Sequence, residues 1–187
     1  MKKILSVFFG VLLAAQAWAY DFTAVYNGKT LYYDIINDAE VRLTSQNSST
    51  TTGNPYYNSN TPVGDVEIPS TVTNTNDGKT YTVTQISNSA FAYCNELTSV
   101  TIPNTVTSIG SNSFVGCTSL TSINVEINNT AYTSENGILF NKAKTELIRY
   151  PAGKTETTYT FPASVTSIVI KHSGIAQTLH QSPFQVR

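Results

Sequence analysis

An internal repeat of 23 residues constrains this chain more than any other feature. Val83, Ile86, Phe91, Cys94, Leu97, Val100 and Ile102 recur 23 positions later as Val106, Ile109, Phe114, Cys117, Leu120, Ile123 and Val125. Seven apolar matches at one offset describe a single supersecondary unit used twice. A further unit starts at Phe161-Pro162-Ala163-Ser164-Val165-Thr166-Ser167-Ile168, echoing Ile68-Pro69-Ser70-Thr71-Val72 and Ile102-Pro103-Asn104-Thr105-Val106. The alternation Val100-x-Ile102 has the period of two of a half-buried strand. Pro103 has no N–H for a ladder, so it ends the strand and turns the chain. Phe and Cys stand three apart in the polar stretches that follow, a spacing that suits a single turn of helix on the return side. No coil can bury Phe91, Cys94, Leu97 and Val100 by itself; stacking on the next coil does, which predicts a solenoid. Composition agrees, with 28 Thr, 19 Ser and 11 Tyr and only 12% charged residues, the profile of a mainly β chain.

The string Ile-Pro-x-x-Val-Thr-x-Ile, then Phe-x-x-Cys-x-x-Leu-Thr-Ser-[Val/Ile], resembles the BspA-type leucine-rich repeats of bacterial surface proteins. The resemblance covers about residues 65 to 168. The segment from Tyr132 to Pro151 is similar to an insertion that recurs in that family. The resemblance implies a short leucine-rich-repeat solenoid and a secreted or cell-surface binding role, adhesion above all. It implies no enzyme activity and no catalytic residues to carry over. It also implies that Cys94 and Cys117 serve as small buried hydrophobes. From the residues alone a bridge stays open, because stacked coils bring the two within disulfide reach in an exported chain.

The chain divides into four stretches. Residues 1–19 carry Lys2 and Lys3, the apolar run Ile4 to Ala15, and the small-x-small pattern Ala17-Trp18-Ala19. That is a signal peptide cleaved after Ala19, and it predicts export to the surface, periplasm or medium without a transmembrane anchor. Its removal leaves nine bases against twelve acids, a net charge of −3, with no basic footprint for nucleic acid. Residues 20–64 are expected to form an N-terminal β cap, with a hairpin at Asn27-Gly28 and the alternations Phe22, Ala24, Tyr26 and Leu31, Tyr33, Ile35. They end in a polar loop over 45–63. Residues 65–168 form the repeat domain. It is interrupted by hairpin insertions at 73–82, turning at Asn76-Asp77-Gly78, and at 126–160, turning at Glu135-Asn136-Gly137. Residues 169–187 hold both histidines, His172 and His180, and depart from the repeat. Their abrupt change reads as a frame shift or truncation, the alternative being a true capping tail. A last coil left uncovered would expose Val165 and Ile168 to pairing between chains.

Chemistry finds little footing. No Cys/His pair stands at metal-ligand spacing, no Asp-rich calcium loop occurs and no Gly-rich phosphate loop appears. A nucleophilic Cys would need a neighbouring base, yet histidine is confined to the tail. Asp65, Glu67 and Asp77 read as solvated acids scattered over a turn and a hairpin. No catalytic, cofactor-binding or metal site is expected. The outward strand positions Thr98, Ser99, Thr101, Thr121, Ser122 and Asn124 form a flat, uncharged hydroxyl strip that is the candidate ligand face. Tyr56, Tyr57 and Tyr132 are candidate aromatic contacts, since Tyr offers a large area at low entropy cost; they equally suit packing back onto the coils. The expected function is binding of a protein or glycan partner through that face. A structural spacer or fragment of a longer repeat protein is the alternative, and a hydrolase using Glu96 or Glu126 the distant one.

Overall fold

A computed structural model describes residues 20–46, 57, 60–156 and 159–168. The signal segment, Tyr56 and the tail with His172 and His180 lie outside the described residues. Two Asn-Gly pairs set the local turns. Asn27 and Gly28 at φ 47° and 74°, and Asn136 and Gly137 at 52° and 74°, take the paired left-handed conformations of a two-residue hairpin turn. The first joins β1 (Phe22–Tyr26) to β2 (Lys29–Ile35), which pairs antiparallel with β3 (Glu40–Thr44). The second joins β10 (Tyr132–Glu135) to β11 (Ile138–Asn141).

Between these hairpins lie the stacked coils. β4 (Gly64–Glu67), β7 (Leu97–Ile102) and β9 (Ser122–Val125) form a parallel three-stranded sheet. Its second ladder joins residues 23 apart, Val100 to Ile123 and Ile102 to Val125. β5 (Thr71–Thr73) folds back antiparallel on β6 (Thr80–Ile86), and β6 pairs in parallel with β3 on one side and β8 (Ser108–Ile109) on the other. β12 (Glu146–Arg149) completes the second insertion and receives β13 (Ser167–Ile168) in parallel.

The chain is mainly β, and its core runs between the two coil sheets. Val66, Val83, Val100, Ile102 and Ile123 are all buried there, with Phe91 and Phe114 stacked at 5.5 Å between ring centroids. The N-terminal strands add Phe22, Leu31, Tyr33, Val41 and Leu43 to the same cluster. β2 departs from the expected alternation. Tyr32 is buried as well, edge-on to Tyr20 and Tyr57, whereas Ile35 is exposed.

The return side also differs from expectation. Among the described residues no helix forms; residues 88–93 and 111–116 run as successive turns. Local bonds such as Ala92 N–H to Ser89 O (3.0 Å) and Val115 N–H to Asn112 O (3.1 Å) close single turns. The N–H groups of Phe91 and Tyr93 instead reach the next coil, donating to Ser113 O and Val115 O at 2.9 and 2.7 Å. Donors drawn across coils cannot propagate a helix. The turns also force a left-handed residue at equivalent places, Tyr93 at φ 58° and Gly116 at φ 72°. A Cβ on Gly116 would lie 2.5 Å from the Tyr93 ring, so the exposed ring rests on a glycine that has to be bare.

At the far end Val165 is buried rather than exposed. It joins Ile138, Phe140, Leu147 and Tyr150 in a second, smaller cluster, with Ile168 partly covered beside it. The insertion supplies that cover, so the uncovered coil expected for self-association is not found at Val165.

Candidate functional site

The outward side of the β4–β7–β9 sheet is built by strand alternation. Val66, Val100 and Ile123 point into the core, which turns their neighbours outward. Register aligns these neighbours in two cross-strand rows, Asp65–Ser99–Ser122 and Glu67–Thr101–Asn124. The strip is therefore not uncharged, and Asp65 and Glu67 are not scattered. They form one column of the face, because Gly64–Glu67 is a strand rather than a turn. Glu126 follows Asn124 on the β9 column and is exposed, its Oε2 accepting the Asn104 N–H at 2.9 Å.

Thr98 stands apart from the rows. Gly64 pairs with Leu97 but Asp65 pairs with Ser99, so Thr98 is the extra residue of a bulge. Both Thr98 Oγ1 (2.7 Å) and Ser99 Oγ (2.6 Å) donate to Asp65 Oδ1. The Ser99 hydroxyl first, then that of Thr98, hold the Asp65 carboxyl below the ordinary carboxylate range. Thr121 is exposed but structural in its bonding, giving both its N–H and its hydroxyl to Thr98 O.

Neighbouring elements meet both borders. Beside β4, Asn27 Nδ2 donates to Glu67 Oε2 (2.9 Å) and Lys29 Nζ donates to Val63 O (2.8 Å). Beside β9, the second insertion supplies acceptors to the strand edge. Ile123 N–H meets Gly137 O at 2.8 Å and Val125 N–H meets Ser134 Oγ at 3.0 Å. A Cβ on Gly137 would lie 2.7 Å from Ser122 Cβ, so the turn sits tight on the half-buried Ser122.

The two described tyrosine candidates are not free contacts. Tyr57 is only 3% exposed, and its hydroxyl donates to Ala90 O in the core. Tyr132 is half-buried and its hydroxyl oxygen accepts the Ile109 N–H at 3.0 Å, ending the β6–β8 ladder. The exposed aromatic that pattern reading passed over is Tyr93, and its mismatch with Gly116 at the equivalent repeat position was the available signal. Cys94 and Cys117 are both buried and unbridged, with Cys117 Sγ donating to Phe91 O. Burial pushes the Cys117 thiol up to about 12 and that of Cys94 higher still, the opposite of an activated nucleophile. Among the described residues no three His, Cys, Asp or Glu side chains converge to hold a metal ion. No helix among them is long and apolar enough to cross a membrane.

Several solved bacterial structures are similar to this chain. A leucine-rich repeat protein from Eubacterium ventriosum is 34% identical over 56% of this chain, which spans 25% of that protein's chain, at a TM-score of 0.47. One from Bacteroides capillosus is 26% identical over 86% of this chain and 96% of its own, at 0.45. One from Bacteroides ovatus is 20% identical over 81% of this chain and 30% of its own, at 0.47. Among curated proteins none matches. The BspA type leucine rich repeat region matches in 6 copies over residues 84–185, and the chain belongs to that family of repeat proteins.

Proposed function

We propose that this chain is an exported repeat module that binds a protein or glycan partner through the outward face of β4, β7 and β9. One observation supports the reading above others. The face presents two aligned rows of hydroxyl, amide and carboxylate groups on a sheet whose inward Val66, Val100 and Ile123 are buried and whose β9 edge is met by the second insertion. A rigid, polar, two-row surface suits many modest hydrogen bonds rather than one deep pocket, hence weak binding strengthened by multivalency. The Lys2-Lys3 start, the apolar run and Ala17-Trp18-Ala19 support export with cleavage after Ala19. Adhesion to other cells or to extracellular proteins is the role that fits such a surface.

Thr101 and Asn124 are the residues to change, because Thr98 and Thr121 also hold the bulge. An array of extracellular-matrix proteins and glycans supplies the partner. Thr101→Lys/Asn124→Lys is expected to lose binding to the retained array member with an unchanged melting temperature. Asn95→Lys, exposed on the return side, is expected to keep it. Equal binding by all three proteins would move the site elsewhere and leave the face a spacer surface.

A further inference from the structure

We infer that the partner seated on this face is cationic: an extended peptide segment carrying Lys or Arg side chains two residues apart. The inference rests on the face being the binding surface and names what it selects. Its first support is the distribution of charge. Among the described residues four ion pairs neutralise Asp34, Asp38, Glu135 and Glu156, with Arg42, Lys79, Lys144 and Lys154 as their partners. Of the eight acids outside these pairs, Asp65 and Glu67 lie in the two rows of the face and Glu126 follows at its β9 end. No outward position of the two rows carries a basic side chain. Lys29 is the cation whose charge reaches Asp65, and its Nζ is held by Val63 O at the strand border rather than by a carboxylate.

Spacing gives the second support. Asp65 and Glu67 point the same way from one strand, which puts their rows about 6.6 Å apart. An extended peptide presents every second side chain on one face with the same repeat, so Arg-x-Arg matches and Arg-x-x-Arg does not. The hydroxyls of Ser99 and Thr101 lie one strand over, about 4.8 Å away, where they can hydrogen-bond the segment's polar groups. Asp65 is preset for this role, because Thr98 and Ser99 both fasten Oδ1 and leave Oδ2 to a ligand.

The test uses the whole chain with two labelled peptides, Gly-Thr-Arg-Thr-Arg-Thr-Gly and its isomer Gly-Arg-Thr-Thr-Arg-Thr-Gly. Binding is followed by fluorescence anisotropy at low and physiological salt and by amide chemical-shift mapping. The Arg-x-Arg peptide is expected to bind more tightly, to move resonances of β4 and β7, and to weaken as salt rises. Asp65→Asn/Glu67→Gln should weaken it about three- to tenfold, in line with exposed ion pairs. The carboxamide oxygen introduced at the first position still accepts both hydroxyls, so folding is spared. Equal binding of the two peptides, or indifference to the double substitution, overturns the inference. If a matrix protein or glycan from the array still maps to the face while Arg-x-Arg does not bind, the cationic assignment fails and the face reading stands. If neither moves the face, both fail.

Discussion

In the coils, Val100 finds its partners 34 residues back at Val66 and 23 residues on at Ile123, whereas in the insertion Glu135 pairs with Ile138 across a two-residue turn. The two regions therefore distribute stability differently. A coil strand gains its ladder only after a long loop has closed and the return segment has packed, so its contacts form together or not at all. The insertion is organised by turn chemistry and by a small cluster of its own, centred on Ile138, Phe140 and Leu147. Injury to a coil should spread; injury to the insertion should stay local.

The largest test of that contrast compares two buried phenylalanines. Phe114→Ala removes the ring stacked on Phe91 and is expected to lower stability by roughly 3–5 kcal/mol in urea unfolding. Hydrogen exchange should then quicken across β6, β7 and β9 together. Phe140→Ala should quicken exchange in β10, β11 and β12 while β6 and β7 keep their protection. If β7 opens as readily in Phe140→Ala as in Phe114→Ala, the insertion is no separate unit.

Asn129 sharpens the comparison at the joint between the regions. It is fully buried, its Nδ2 donates to Pro103 O and Val106 O at 2.9 Å each, and its Oδ1 accepts the N–H groups of Ala131 and Tyr132. One amide thus ties the coil to the start of the insertion. Asn129→Ala strands Val106 O and the N–H groups of Ala131 and Tyr132, while Pro103 O keeps the Val106 N–H, and a loss of roughly 2–3 kcal/mol is expected in the same urea measurement. A loss no larger than that of a surface change would place the joint elsewhere.

The smallest effect is a titration. The hydroxyls of Ser99 and Thr98 depress the Asp65 pKa in the folded chain. That contribution is therefore fully present above the unfolded carboxylate value of about 3.9, and it is lost as pH falls through the lower folded value. A carboxyl-carbon NMR titration should place the Asp65 midpoint below about 3.9, the ordinary Asp value, and Ser99→Ala should raise it. An unchanged midpoint in Ser99→Ala would detach Asp65 from the rows.

Much of the architecture was readable because it repeats or because it turns. The apolar offset of 23 pointed to the residues that pair between β7 and β9, and Asn27-Gly28, Asp77-Gly78 and Asn136-Gly137 marked hairpins. The candidate face was half readable. Ser99, Thr101, Ser122 and Asn124 followed from alternation, but Asp65 and Glu67 did not. Their strand, Gly-Asp-Val-Glu, lacks β propensity, and the hairpin at residues 71–82 stretches its coil so that Asp65 meets Ser99 at an offset of 34. The turns that stand in place of the expected return-side helix and the inward packing of Tyr57, the second of its two readings, have one reason. Each depended on hydrogen bonds to a distant coil, which no local pattern reports.

The acceptors that the insertion sets against β8 and β9 also govern how such a protein can lengthen. Gly137 O, Ser134 Oγ and the Tyr132 hydroxyl stand where the carbonyls of a following coil would stand. A duplicated unit entering between β7 and β9 would meet a coil of its own kind on either side. One entering after Val125 would bring its own carbonyls to the N–H groups of Ile109, Ile123 and Val125 and push Gly137 O, Ser134 Oγ and the Tyr132 hydroxyl off the donors they now meet. Growth by duplication is thus directed to one side of the insertion, and the two-row face would widen there strand by strand while its closed border stays with the last coil.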